Sequence, residues 1–276
     1  MTLRVLPPNS RSVIEGLNWD IPLWLAALLG GLLGLVIGSF LATLLIRWPK
    51  GERALAGRSR CDACEAVLGP LDLVPVLSWL LRRGRCRRCG AAIDRRHLAI
   101  ELAAALIGVV AALAHPLPLA LVTAGLGWWL LLAAALDVQE QWLPDLLTLP
   151  LILLGFAAAW AGFGPPLGER LWGAGIGWAS LEAIRWSYRL SRGREGMGGG
   201  DPKLFAAAGA WAGVWNLPVI LLCAGLLGIA AALTMMLRGQ KVEAGTRLPL
   251  GTLLALALWP AWLLVAIQPS AILGLL

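Results

Sequence analysis

Two carboxylates and four thiols are the residues of this chain whose types and spacing could do chemistry. Gly196-Met197-Gly198-Gly199-Gly200-Asp201-Pro202-Lys203 puts an acid between a basic stretch and an apolar run. The glycines before Asp201 remove every side chain that could crowd an approaching backbone. An acid at the edge of an apolar span is costly and is therefore a functional candidate. The same Asp could instead cap the helix that follows. A second acid, Asp137, stands at the end of the apolar run Leu117–Leu136, followed by Val138-Gln139-Glu140-Gln141-Trp142-Leu143-Pro144-Asp145. Two carboxylates that meet and share one proton supply a base to activate water and an acid to protonate a leaving amide nitrogen. Glu140 reads as a solvated charge. Asp145 reads as a helix-start residue whose carboxylate meets free backbone N–H groups. Glu182, with Arg185 three residues on, reads as an internal ion pair or a shape-fixing contact, with substrate contact as the alternative.

The thiols fall in two pairs, Cys61-Asp62-Ala63-Cys64 and Cys86-Arg87-Arg88-Cys89, with 21 residues between them. Such paired knuckles place four thiolates around one tetrahedral Zn²⁺, a structural site with no open position. Gly90 follows the second pair, where a tight turn is useful. Disulfides are the competing reading, and a reducing cytosol argues against them. A loop of this size has little core of its own, so the metal would supply much of its folding energy. Between the pairs, Leu71–Leu81 is apolar but interrupted by Asp72 and Pro75, and is expected to pack on the zinc ribbon or lie at the membrane surface. Cys223, alone in an apolar run, reads as a small apolar residue.

The elements that must carry these groups are membrane helices. The chain has 276 residues, 59% hydrophobic and 14% charged, which no ordinary soluble domain could cover. The expected fold is an all-α polytopic membrane protein with about eight transmembrane helices and a small cytosolic zinc-binding loop. The spans are read near Ile21–Ile46, Leu98–Ala114, Leu117–Leu136, Leu146–Gly162, Leu171–Ser187, Lys203–Trp215, Pro218–Leu237 and Leu248–Ile267. The sixth is too short for a ~30 Å core and is expected to sit beside thinned bilayer. Of 23 Lys/Arg residues, all but Arg4, Arg11 and Arg170 fall in three loops on one side of this arrangement. That asymmetry puts those loops in the cytoplasm and both termini outside. It accounts for the net charge of +7 without nucleic acid. Met1–Asp20 carries both charge signs and no apolar core, so the first span is expected to act as the insertion signal.

Together these motifs resemble the type IV prepilin peptidases, bifunctional leader peptidase/N-methyltransferases of the bacterial inner membrane. Gly38-Ser39-Phe40-Leu41 with Arg47 and Pro49, the CxxC pairs flanking Val74–Leu80, Asp137 to Pro150, the GxGD motif Gly198-Gly199-Gly200-Asp201, and Leu248-Pro249-Leu250-Gly251 follow that family's order. The resemblance implies a membrane aspartyl protease with Asp137 and Asp201 as its dyad, supported by Gly198, Gly200 and Lys203. It implies cleavage of the basic leader of prepilins or pseudopilins at the cytosolic face, then methylation of the new N-terminus with S-adenosylmethionine. It links the zinc loop to methylation, and with it Asp72, Gly84 and Arg85. It implies four organisational parts: an extracytoplasmic segment 1–20, a first span 21–46, a zinc domain 47–97 and a peptidase body 98–276. Expected partners are pilins and membrane lipids. Two departures stand out. Ala42 replaces the usual Asn after the opening motif, and Pro202 follows the motif Asp, acceptable as the first residue of a helix. The alternatives are another GxGD intramembrane protease, which needs no Cys₄ loop, and a scaffold docking partners through that loop.

Overall fold

The computed structural model describes residues 21–52, 59–241, 246 and 248–266. The expected segment 1–20, the insertion-signal reading's charged flank and Arg247 lie outside them. Every long element is a helix: α1 (Leu23–Arg47), α2 (Leu77–Leu81), α3 (Arg95–Ala114), α4 (Leu119–Glu140), α5 (Asp145–Trp160), α6 (Leu167–Arg192), α7 (Gly200–Ala212), α8 (Leu217–Leu237) and α9 (Leu250–Val265). Four helical stretches, Leu23–Lys50, Arg95–Ala114, Leu119–Glu140 and Val214–Leu237, are long and apolar enough to cross a membrane. The chain divides into two compact units, residues 11–132 and, chiefly, 133–276, with the division inside α4.

In the N-terminal unit, α1 lies along α3 on a stripe of small residues. A Cβ at Gly30 would meet the Gly108 carbonyl at 2.5 Å, and one at Gly38 would meet Glu101 Cα at 2.7 Å. Close backbone approach is how helices associate where lipid removes the hydrophobic drive between them. Trp128 of α4 joins the pair by donating its indole N–H to the Ala104 carbonyl at 2.8 Å. Ala42, on the buried face of α1, is fully buried, so a methyl fills the place of the Asn usual at this position. Asp94 caps α3, accepting from the Arg96 N–H at 2.8 Å.

In the C-terminal unit, α7 is the central element. Asp201, Pro202 and the whole run Leu204–Ala212 are buried, and α5, α6 and α9 pack around it. α7 has thirteen residues, about 20 Å of helix, and is enclosed by protein along its length. Pro202 is the third residue of α7, rather than its first as expected. It is tolerated there because the first four N–H groups of a helix have no intrahelical partner. α6 runs well beyond the expected Leu171–Ser187, and its buried Gly173, Gly177 and Leu181 recur every fourth residue against α7. At the far end of α7, Trp211 donates to the Leu151 carbonyl at 2.8 Å and meets Trp262 edge to face at 5.1 Å.

One cation is sealed into this unit. Arg170, fully buried, donates to the Pro165 carbonyl at 2.8 Å, the Gly155 carbonyl at 2.6 Å, the Ala210 carbonyl at 3.3 Å and the Phe163 carbonyl. Its guanidinium also lies over Trp262 at 5.6 Å. Phe163 and Pro165 belong to the turn between α5 and α6, which Arg170 therefore ties to α7 and α9.

Candidate functional site

Asp137 lies in the last turn of α4, which continues to Glu140 instead of ending at Leu136 as expected. Helical continuation turns the carboxylate inward and leaves it 5% exposed, while Glu140 stays exposed. Its partner comes from the start of α9. Thr252 donates its backbone N–H to Asp137 Oδ2 at 2.7 Å, and its hydroxyl lies 3.1 Å from the same oxygen and 2.9 Å from the Ala134 carbonyl. Asp201 enters from the first turn of α7, 7% exposed. Its carboxyl faces the backbone N–H groups of Gly198 and Gly251, and the Asp137 carboxyl faces the Gly251 N–H as well. The two acids thus lie close enough for the charge of Asp137 to act on Asp201.

The glycines around them are steric necessities. A Cβ at Gly200 would meet Leu143 Cβ at 2.5 Å; one at Gly251 would overlap Leu143 Cδ1 and come within 3.0 Å of Asp137 Oδ2. Gly198 is less confined, its Cβ position lying 3.6 Å from Asp201 Oδ2. Lys203 pairs with Asp145. Asp145 is the first residue of α5, as expected, but it makes no side-chain cap; Pro144 holds the cap position. Arg185 pairs with Glu182 at 2.8 Å, as the spacing suggested, and a Cβ at Gly199 would meet its guanidinium at 3.1 Å. That pair packs against the glycine loop.

The second centre lies in the N-terminal unit. Each cysteine pair sits on a tight turn closed by an antiparallel bridge, Arg60 with Val67 and Arg85 with Ala92. In the first turn, the Cys61 N–H donates to the Ala66 carbonyl at 3.0 Å; in the second, the Cys86 N–H donates to the Ala91 carbonyl at 2.8 Å. The residue after each second cysteine is left-handed: Gly90 at φ 71° and Glu65 at φ 54°. Glu65 therefore occupies a conformation that favours glycine. The four Sγ atoms lie within 4.8 Å of one another, Cys61 and Cys89 at 3.9 Å. A tetrahedron with Zn–S bonds of ~2.3 Å has edges of about 3.8 Å, so this cluster could hold zinc. Backbone N–H groups of Cys89 and Arg88 pull the Cys86 thiol down to about 6, while the Cys64 thiol beside it helps push Cys89 up to about 11. Arg47, ending α1, ties the first knuckle down through Asp62 at 3.2 Å and the Arg60 carbonyl at 3.1 Å.

Between the knuckles and the ends of α1 and α3 lies a cavity of about 550 Å³. Asp72 and Trp79 line it, Asp72 paired with Arg82. Gly84, at φ 66°, lies under the Trp79 ring, where a Cβ would come within 2.8 Å. Any larger residue would be strained and would displace the indole. Arg85 is exposed and does not line the cavity. The apolar residues Leu71, Leu77, Leu80 and Leu81 are exposed. Sequence reasoning missed Thr252, Arg170 and Glu101, which is 6% exposed and also lines the cavity. Only Glu101 carried a signal, an acid within an apolar helix.

Known proteins match this chain over most of its length. Residues 32–115 match the Bacterial Peptidase A24 N-terminal domain, and residues 124–233 match the Type IV leader peptidase family. A prepilin leader peptidase/N-methyltransferase of Dichelobacter nodosus is 38% identical over 84% of this chain and 90% of its own length. Proteins of the same description from Pseudomonas aeruginosa and Dickeya chrysanthemi are 37% and 41% identical, covering 84% and 76% of this chain and 88% and 82% of their own lengths. No solved structure is a significant match. With identity of this extent running through both units, the chain belongs to the prepilin leader peptidase/N-methyltransferase family of A24 peptidases.

Proposed function

We propose that this chain removes the basic leader of prepilins or pseudopilins at the cytosolic face of the bacterial inner membrane, then methylates the new N-terminal amine. The burial of Asp137 and Asp201 within reach of each other's charge is the observation that carries the peptidase half. One carboxylate, ionised, takes a proton from a water that attacks the scissile carbonyl; its protonated partner donates to the leaving amide nitrogen. The Thr252 N–H holds the Asp137 carboxyl in place as the proton moves. Gly198, Gly200 and Lys203 keep the approach open and the loop anchored.

Methyl transfer belongs to the zinc loop in this reading. Cys61, Cys64, Cys86 and Cys89 hold one structural Zn²⁺ that rigidifies the loop, and S-adenosylmethionine supplies the methyl group. Gly84 acts by keeping Trp79 in place, and Asp72 by fixing Arg82. The fold is an eight-span bundle with basic loops in the cytoplasm, on the charge asymmetry described above. Segment 1–20 is extracytoplasmic, 21–46 the first span, 47–97 the zinc domain and 98–276 the peptidase body, a functional division that need not follow the packing units.

The test is co-expression with candidate prepilins followed by mass spectrometry of their N-termini. Loss of the leader and a gain of one methyl group are expected. An untouched leader with every candidate of pilus and secretion systems would overturn the reading.

A further inference from the structure

Glu101 is a buried carboxylate without a cation. It sits in α3, at the floor of the 550 Å³ cavity, and one oxygen, Oε2, accepts the Val76 N–H at 2.7 Å. Among the described residues Glu101 makes no salt bridge. The charged groups lining the cavity are His97 on its own helix with Asp94 and Arg96 at that helix's start, Arg47 and Lys50 from the end of α1, and Arg60, Asp62, Asp72, Arg82 and Arg87 from the loop. Arg47 is engaged by Asp62 and Arg82 by Asp72, while Arg96, at the helix start, is engaged by Asp94. Three of the cavity's cations are thus matched to other acids, Lys50, Arg60 and Arg87 form no salt bridge among the described residues, and none of the cations pairs with Glu101. A buried carboxylate in an apolar helix is costly unless paired. A cationic ligand in the cavity would pair it.

Both reactants of the methyl transfer proposed above carry positive charge, and this inference rests on that reading. The donor is a water-soluble nucleoside, and the cavity's loop side, with its buried and unpartnered Trp79 Nε1, suits it. The acceptor is the amine end of a membrane segment, which approaches from the helices, past Ser39, Phe40 and Thr43 of α1. Glu101 belongs to that side. A cavity of this size is in the usual range for a small-molecule site. We propose that this cavity is the methyl-transfer site, and that Glu101 binds the acceptor's terminal ammonium and takes its proton.

In the step, the ammonium gives one proton to Glu101. The freed nitrogen lone pair forms a bond to the methyl carbon while the sulfur–methyl bond breaks. Its electron pair stays on sulfur, turning the sulfonium into a neutral thioether. The nitrogen becomes a methylated ammonium, and the proton on Glu101 leaves to water. The carboxylate also favours the positive charge that develops on nitrogen.

Glu101→Gln separates this role from that of a tether. The amide oxygen still accepts the Val76 N–H, but the side chain can no longer take a proton. Detergent-solubilised full-length protein is given a synthetic peptide of the processed pilin N-terminus, so cleavage is not needed. The wild type is expected to hold its kcat/KM level between pH 6 and 8. The variant should be slower by about 100-fold at pH 7 and fall roughly tenfold per pH unit below ~8, where only the neutral amine can react. It should keep its zinc and bind S-adenosylhomocysteine within about twofold of the wild type by calorimetry. Parallel pH profiles, or loss of zinc or of nucleoside binding in the variant, would overturn the inference. A wild type unable to methylate the peptide at any pH would instead overturn the methyl-transfer reading beneath it.

Discussion

Thr252 and Asp137 are 115 positions apart in the chain, yet the Thr252 backbone N–H donates to Asp137 Oδ2 at 2.7 Å. The Thr252 hydroxyl has one proton and two acceptors in reach, the Ala134 carbonyl and that same carboxyl oxygen. When Asp137 is ionised, the hydroxyl can give it the proton. When Asp137 is protonated, the acid can donate to the hydroxyl oxygen while the hydroxyl turns to Ala134. Thr252→Val keeps the backbone bond and removes only this relay. A hydrogen bond to a charged group is worth about 1.5–3 kcal/mol, so leader cleavage should slow about tenfold or more. Thr252→Ser should restore it. An unchanged kcat/KM for the valine variant would show that the backbone N–H suffices.

Replacing either acid with its amide keeps shape and most hydrogen bonding but ends proton transfer. Asp137→Asn and Asp201→Asn are each expected to leave no measurable leader cleavage, with helicity and zinc content unchanged. Methylation of a pre-cleaved pilin by either variant should continue. Leader trimming by Asp201→Asn at the normal rate would sink the dyad assignment.

Removal of metal should act on one activity. Stripping zinc by chelation, or Cys86→Ser, loosens the loop that walls the cavity and should abolish methylation. Cleavage depends on α4, α7 and α9 and should persist. Metal analysis should find about one zinc per chain before treatment. If both activities vanish together, the loop is a folding element for the whole protein.

Arg170 satisfies carbonyls at the α5–α6 turn and on α7, so its loss leaves several buried acceptors unpaired. Arg170→Met should destabilise the protein by roughly 3–5 kcal/mol, visible as a large drop in thermal midpoint in detergent. Arg170→Lys should recover little, because a single ammonium cannot match the planar fork.

Glu65 holds the left-handed position that Gly90 holds in the second knuckle. Relief of that conformation in Glu65→Gly should stabilise the loop by about 1 kcal/mol. The readout is slower zinc release to a chelator. Faster release would mean that the Glu65 side chain itself supports the knuckle.

What the sequence by itself determined is local. Apolar runs of helical length and their basic flanks announced the helices, and two CxxC turns announced the thiol cluster, because those signals are written within a few residues of one another. Glu182 and Arg185, three apart on one helix, were legible for the same reason. Only the tertiary structure decided what depends on packing between distant segments. That α7 is enclosed by α5, α6 and α9 was not legible, because hydropathy cannot tell a helix that faces lipid from one buried in protein. Asp137 was read as lying beyond its helix, since a polar residue after an apolar run looks like an end. The helix continues because Thr252 and Gly251 of α9 supply the N–H groups that make its burial tolerable. Arg170 entered the sequence reading only as a charge on the side away from the basic loops, and Glu101 did not enter it. Their roles come from carbonyls and a cavity assembled by other elements, and no spacing within the chain encodes a partner that only packing brings near.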